Sequence, residues 1–168
     1  PAEREVLERG AIEGEVFHRG SVQALTDEEG QVTPRLASLV RKGLIRPQKS
    51  QLPGGDGFRF SHLLIRDAAY AGLPKATRAD LHQRFAAWLE DRASDFVEQE
   101  EILGYHLERA WRYRGELGLA DDELADTARH HLGASGRRAL SRQDFGAALN
   151  LLERAAAYRG INGGRGGA

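Results

Sequence analysis

The chain has 168 residues, enough for one domain or two small ones with a genuine core, and its 40% hydrophobic and 29% charged content is ordinary for a globular protein. A formal net charge of −1 gives no whole-chain attraction to nucleic acid or to an anionic membrane, and no apolar run approaches the ~20 residues of a membrane helix. The absence of cysteine excludes disulfides and thiolate metal sites and fits a reducing cytoplasm. There is no methionine and the first residue is Pro1, so a larger parent protein is expected.

Glu3–Arg9 and Ala11–Arg19 each fit a short helix, with breaks near Gly10 and Gly14 and a stop at Gly20; Val6, Leu7, Ile12, Val16 and Phe17 would face inward. Ser21–Leu25 reads as a further turn or short helix. Gln31–Lys42 is a firmer helix, with Val32, Leu36, Leu39 and Val40 along one face and Gly43 as its stop. Leu44-Ile45-Arg46 then reads as a strand, Leu52–Gly57 as a mobile loop, and the alternating Phe58-Arg59-Phe60 as a returning strand.

The densest apolar pattern follows. Leu63, Leu64, Ile65, Ala68, Ala69 and Leu73 suit a buried helix, and Pro74 restarts the chain as another, on which Leu81, Phe85, Trp88 and Leu89 recur at helical spacing. Val97–Leu117 places Leu103, Leu107, Ala110 and Trp111 on one stripe. Asp121–Leu140 does the same with Leu124, Ala128, Leu132, Ser135 and Ala139, its acidic start and basic end matching the helix dipole. Phe145–Ala156 forms a last amphipathic helix through Phe145, Ala148, Leu149, Leu152 and Ala155. The final nine residues hold five glycines and are expected to be disordered.

Helices followed by a hairpin predict a winged-helix domain over 1–75, with a small two-stranded β-wing. Antiparallel helical hairpins follow over 76–158, and a flexible glycine-rich tail over 159–168. The fold class is mainly α. The stripes through Leu81, Phe85 and Trp88 and through Leu103, Leu107 and Trp111 are expected to join the two parts into one lever.

Ala11–Phe17, Leu36–Ile45 (LASLVRKGLI), and above all Phe58–Tyr70 followed by Arg78–Leu89 resemble the winged-helix region of STAND-type signalling NTPases. These couple an NB-ARC-like or AAA-like nucleotide switch to a helical-repeat sensor, and bacterial members include large transcriptional activators and cyclase-linked regulators. After the wing that family shows a phenylalanine, two further residues, a histidine, a leucine/isoleucine-arginine pair, an acidic residue and a tyrosine. Here the stretch reads Phe58-Arg59-Phe60-Ser61-His62-Leu63-Leu64-Ile65-Arg66-Asp67-Ala68-Ala69-Tyr70. A second resemblance covers Leu132–Ala157, which looks like one tetratricopeptide (TPR) repeat. Gly136, Ala139, Ala148 and Ala155 stand where such repeats need small residues, and Gln143-Asp144-Phe145 makes the turn.

The resemblance implies a nucleotide-sensing role for His62, with Arg66. In NB-ARC relatives a methionine-histidine-aspartate motif sits at this point and its histidine reaches the β-phosphate of ADP. Here Ser61 and Leu63 replace the methionine and aspartate, and a histidine capping the following helix is the competing reading. The chain has no G-x-x-x-x-G-K-[ST] loop and no G-x-G-x-x-G after a strand, so ADP or ATP would belong to an NTPase domain of the parent. No cofactor is expected in this chain itself.

Arg35, Arg41, Lys42, Arg46 and Lys49 lie between Gln31 and Gly55 with no acidic residue among them. Such a face would meet DNA phosphates, or serve as a solvated or intramolecular surface. A free-standing DNA-binding regulator with a helical dimerisation tail is therefore the alternative function. Adjacent His130 and His131 face different sides of a helix, and His82, His106 and His130 are far apart without an H-E-x-x-H, so no metal site is expected. His106 falls on an apolar stripe and reads as core. Ser61, Ser135 and Ser141 lack a G-x-S-x-G elbow, and the pairs Glu100-Glu101 and Asp121-Asp122 suit helix starts, so no enzyme is expected. The expected partners are that NTPase domain and a protein or ligand at the repeats.

Overall fold

A computed structural model describes residues 1–49, 55–92, 98–119 and 121–158. The expected loop over 52–57 lies partly, and the expected disordered tail wholly, outside them. The chain divides into two compact units, Pro1–Ser94 and Asp95–Ala168. The described residues are mainly helical, with one small antiparallel sheet.

The first unit runs α1 (Ala2–Glu13), β1 (Val16–His18), α2 (Arg19–Ala24), α3 (Glu29–Arg41), β2 (Ile45–Gln48), β3 (Gly57–Phe60), α4 (Leu63–Ala71) and α5 (Lys75–Arg92). The sheet order is β1-β3-β2, with Phe17 opposite Phe58, and Ile45 opposite Phe60. The two-stranded wing expected from sequence is thus a three-stranded sheet, and the helix expected over Ala11–Arg19 does not form. Gly14 has φ 153°, in a region that only glycine occupies readily, so α1 ends there. The carbonyl of Glu15 then accepts from the Phe60 amide at 3.2 Å, which draws Val16–His18 into the sheet. Gly10 is no break either: α1 runs through it, and the position has no room for a side chain, since a Cβ there would lie 2.9 Å from the Phe17 ring.

Phe17 packs 5.0 Å from Phe60 and 5.9 Å from Phe58, and with Ile12, Leu25, Leu36, Leu39 and Ile45 it fills the core beside the sheet. α3 ends in a Schellman motif: Gly43, at φ 70°, donates to Val40, and Leu44 donates to Leu39. Leu81, Phe85, Trp88 and Leu89 on α5 are buried as their spacing predicts, and α5 packs on α1 and α2. α4 departs from expectation. Leu63 and Leu64 are 56% and 80% exposed, and its fully engaged residue is Tyr70.

The second unit contains α6 (Gln99–Glu116), α7 (Asp122–Ser141) and α8 (Phe145–Ala157). Leu103, Leu107 and Ala110 of α6 and Leu124, Ala128, Leu132 and Ser135 of α7 are buried. Successive helices approach at glycines: a Cβ on Gly104 would lie 2.9 Å from Leu132, and one on Gly136 2.8 Å from Leu152. Asp121 and Asp144 cap α7 and α8 by accepting from the amides of Leu124 and Ala147. On α8 the apolar stripe is displaced. Ala148, Leu151 and Ala155 are buried, whereas Phe145 and Leu149 are 67% and 60% exposed.

Candidate functional site

His62 stands where β3 gives way to α4. It occupies the N-cap position with extended backbone (φ −139°, ψ 139°), yet its side chain makes no capping hydrogen bond and is exposed. With the first two leucines of α4 also exposed, the strand-to-helix step offers an imidazole beside apolar surface. Arg66 does not face the same opening as a free cation. Its Nη1 donates to Asp67 at 2.9 Å, and its guanidinium lies 5.1 Å from the Tyr70 ring centroid.

Tyr70 organises a cluster that sequence reasoning missed. Its hydroxyl is 2.8 Å from His82 Nε2, both residues are buried, and the Arg78 guanidinium lies 4.8 Å from the same ring. Arg78 also donates to the Ala71 carbonyl, tying α5 back to α4. The i, i+4 spacings Arg66–Tyr70 and Arg78–His82 were the available signal, but their convergence requires the turn at Pro74.

The same unit holds a second buried polar cluster. Glu13 receives His18 Nδ1 at 2.5 Å, the His18 amide at 3.0 Å and the Ser21 hydroxyl, with Glu13 and His18 side chains almost wholly enclosed. It fixes the junction α1–β1–α2. The Ser21 hydroxyl is turned to the carboxylate and to the His18 carbonyl, and the cluster is structural.

The five basic residues do not form one face. Arg35 is taken up by Glu28 and by Glu5 at 3.6 Å, and Lys42 by Glu3 at 2.6 Å, where the Ser38 hydroxyl also donates. These two bonds to Glu3 hold its carboxyl below the usual range. Arg41, Arg46 and Lys49 remain exposed. Arg41 borders a cavity of about 350 Å³ between α3 and the sheet, with Leu36, Val40 and Phe58. Arg46 is cross-strand from Arg59, which is held by Glu15 at 2.6 Å.

In the second unit Gly136, Ala148 and Ala155 are buried and Ala139 is partly so. His106 is buried, and burial, aided by the nearby Arg109 charge, pushes its pKa down to about 3. His130 and His131 diverge: His131 bonds Glu100 at 2.6 Å, while His130 is exposed beside the α7–α8 groove. Buried Glu108 receives Arg154 at 2.5 Å and Arg112 at 3.2 Å, joining α6 to α8. Among the described residues no group of three or more His, Cys, Asp or Glu could hold a metal ion, and no helix is long and apolar enough to cross a membrane.

Compared with known protein families, curated proteins and solved structures, the chain matches none.

Proposed function

We propose that this chain is a non-catalytic regulatory and protein-interaction segment of a larger STAND-type signal-transduction ATPase. In that role it relays nucleotide state to a helical-repeat sensor. The observation that carries the reading is the order helix–strand–helix–helix–strand–strand with sheet order β1-β3-β2, which suits a winged helix, ending at an exposed His62. An imidazole uncommitted to its own helix is available to a diphosphate held by a neighbouring domain, and Leu63 and Leu64 give that domain an apolar edge to cover. The short α7–α8 turn and the Gly136–Leu152 approach support a TPR-like pairing as the sensor's beginning.

Hydrogen exchange on the parent ATPase tests the relay. Amides at the start of α4 should be better protected with ADP than with an ATP analogue, and His62→Ala should erase the difference. Identical exchange in both states overturns the reading. The DNA-binding alternative draws on Arg41, Arg46 and Lys49, which are exposed, but it loses Arg35 and Lys42 to carboxylates. Salt-dependent duplex retention, lost in Arg41→Glu/Arg46→Glu, would favour it.

A further inference from the structure

Gly133 lies inside α7, where glycine costs about 1 kcal/mol relative to alanine. Gly104 and Gly136 are required by close neighbours, but Gly133 is not. A Cβ there would meet only Nη1 of Arg137, at 3.3 Å, the far end of a flexible side chain. What the missing side chain leaves is space. A cavity of about 320 Å³ opens between α7 and α8, walled by Arg129, His130, Gly133 and Arg137 and floored by Leu152 and Ala155. Positions 129, 133 and 137 succeed one another by one helical turn, so the glycine separates the two guanidinium groups.

No acidic residue lines this opening. Asp126 bonds Arg129 at 3.0 Å, whereas Arg137 has no ion-pair partner among the described residues and His130 is exposed. Guanidinium forks match the planar oxygens of carboxylate and phosphate, and the floor of leucine and alanine accepts hydrocarbon. The volume is near the lower end for small-molecule sites, roughly 300–1,000 Å³.

We propose that this cavity binds a small organic oxyanion, its carboxylate or phosphate held by Arg129, Arg137 and His130 and its short apolar stem resting on Leu152 and Ala155. This deepens the sensor half of the reading above by naming a ligand class, but it is tested on the 168-residue chain alone. NMR titration with hexanoate and with hexyl phosphate should shift the Gly133 amide and the His130 ring saturably, with hexylamine producing no such shift. The tighter acid identifies the preferred head group. Arg137→Gln should weaken binding at least about tenfold, equivalent to about 1.4 kcal/mol. Gly133→Ala should melt no lower than the parent chain yet lose binding, because its methyl enters the cavity. Equal binding of the amine, no saturable shift with either acid, or unchanged affinity in Arg137→Gln would overturn the proposal. None of these outcomes bears on the nucleotide-dependent exchange at α4, so the two readings fail separately.

Discussion

At Gly136 the α7 backbone approaches α8 so closely that a methyl group would lie 2.8 Å and 2.9 Å from Leu152 atoms and 3.3 Å from Leu151 Cβ. Gly136→Ala should therefore destabilise the second unit by about 1–3 kcal/mol, measured by urea unfolding, because the neighbouring core must be displaced. Gln143 presents the opposite opportunity. It is the one non-glycine residue at positive φ (63°) among the described residues, in the turn where its amide donates to Leu140 and that of Asp144 to Ala139. A left-handed conformation strains a residue bearing Cβ, so Gln143→Gly should stabilise by about 0.5–1 kcal/mol in the same assay.

Between elements, the Glu108–Arg154 pair carries the corresponding test. The Glu108 side chain is only 6% exposed and receives three hydrogen bonds from Arg154 as well as one from Arg112. Arg154→Ala strands much of that buried charge and should cost about 3 kcal/mol, while the double variant Glu108→Gln/Arg154→Met should recover most of the loss. Additive losses in a double-mutant cycle would show that the pair is not coupled.

Much of this element-level order was legible in the sequence, since α3, α5, α6 and α7 each carry a long apolar period with caps or stops. β1 was not. Three residues are too few to display a period of two, Ile12 and Val16 also fit helical spacing, and only pairing with β3 decides between them. The exposure of Leu63, Leu64, Phe145 and Leu149 was hidden for the same reason: a stripe declares which residues could be buried, but not which face meets a neighbour. In the candidate site, the sequence singled out His62 and the basic run. It could not foresee Glu3, Glu5 and Glu28 reaching over to neutralise part of that run, because such partners are set by tertiary approach.

Across the whole molecule, acid should be the sensitive direction. Folded His106 takes up a proton only near pH 3, whereas in the unfolded chain it does so near its ordinary 6.5. Unfolding below about pH 6.5 thus binds a proton, and stability falls as pH drops toward 3. Glu3, held low by Lys42 and Ser38, acts with the same sign, its contribution being present above 4.5 and lost below. Urea unfolding at about pH 7 and pH 5 should differ by about 2 kcal/mol from His106, and His106→Gln should remove that part of the difference. An unchanged pH slope in the variant would show that the imidazole is not responsible.

The placement of Pro47 has a further bearing on solubility. Because the Leu44 carbonyl accepts from the Ser61 amide, the even-numbered residues of β2 turn their backbone groups toward β3, and Pro47 falls among those aimed away from it. The lateral rim where another extended chain would zip on therefore lacks a donor at its middle, while the opposite rim, β1, is only three residues long. Neither side invites strand-by-strand growth into fibrils, and two exposed arginines, Arg46 and Arg59, oppose it further despite the ring-rich interior.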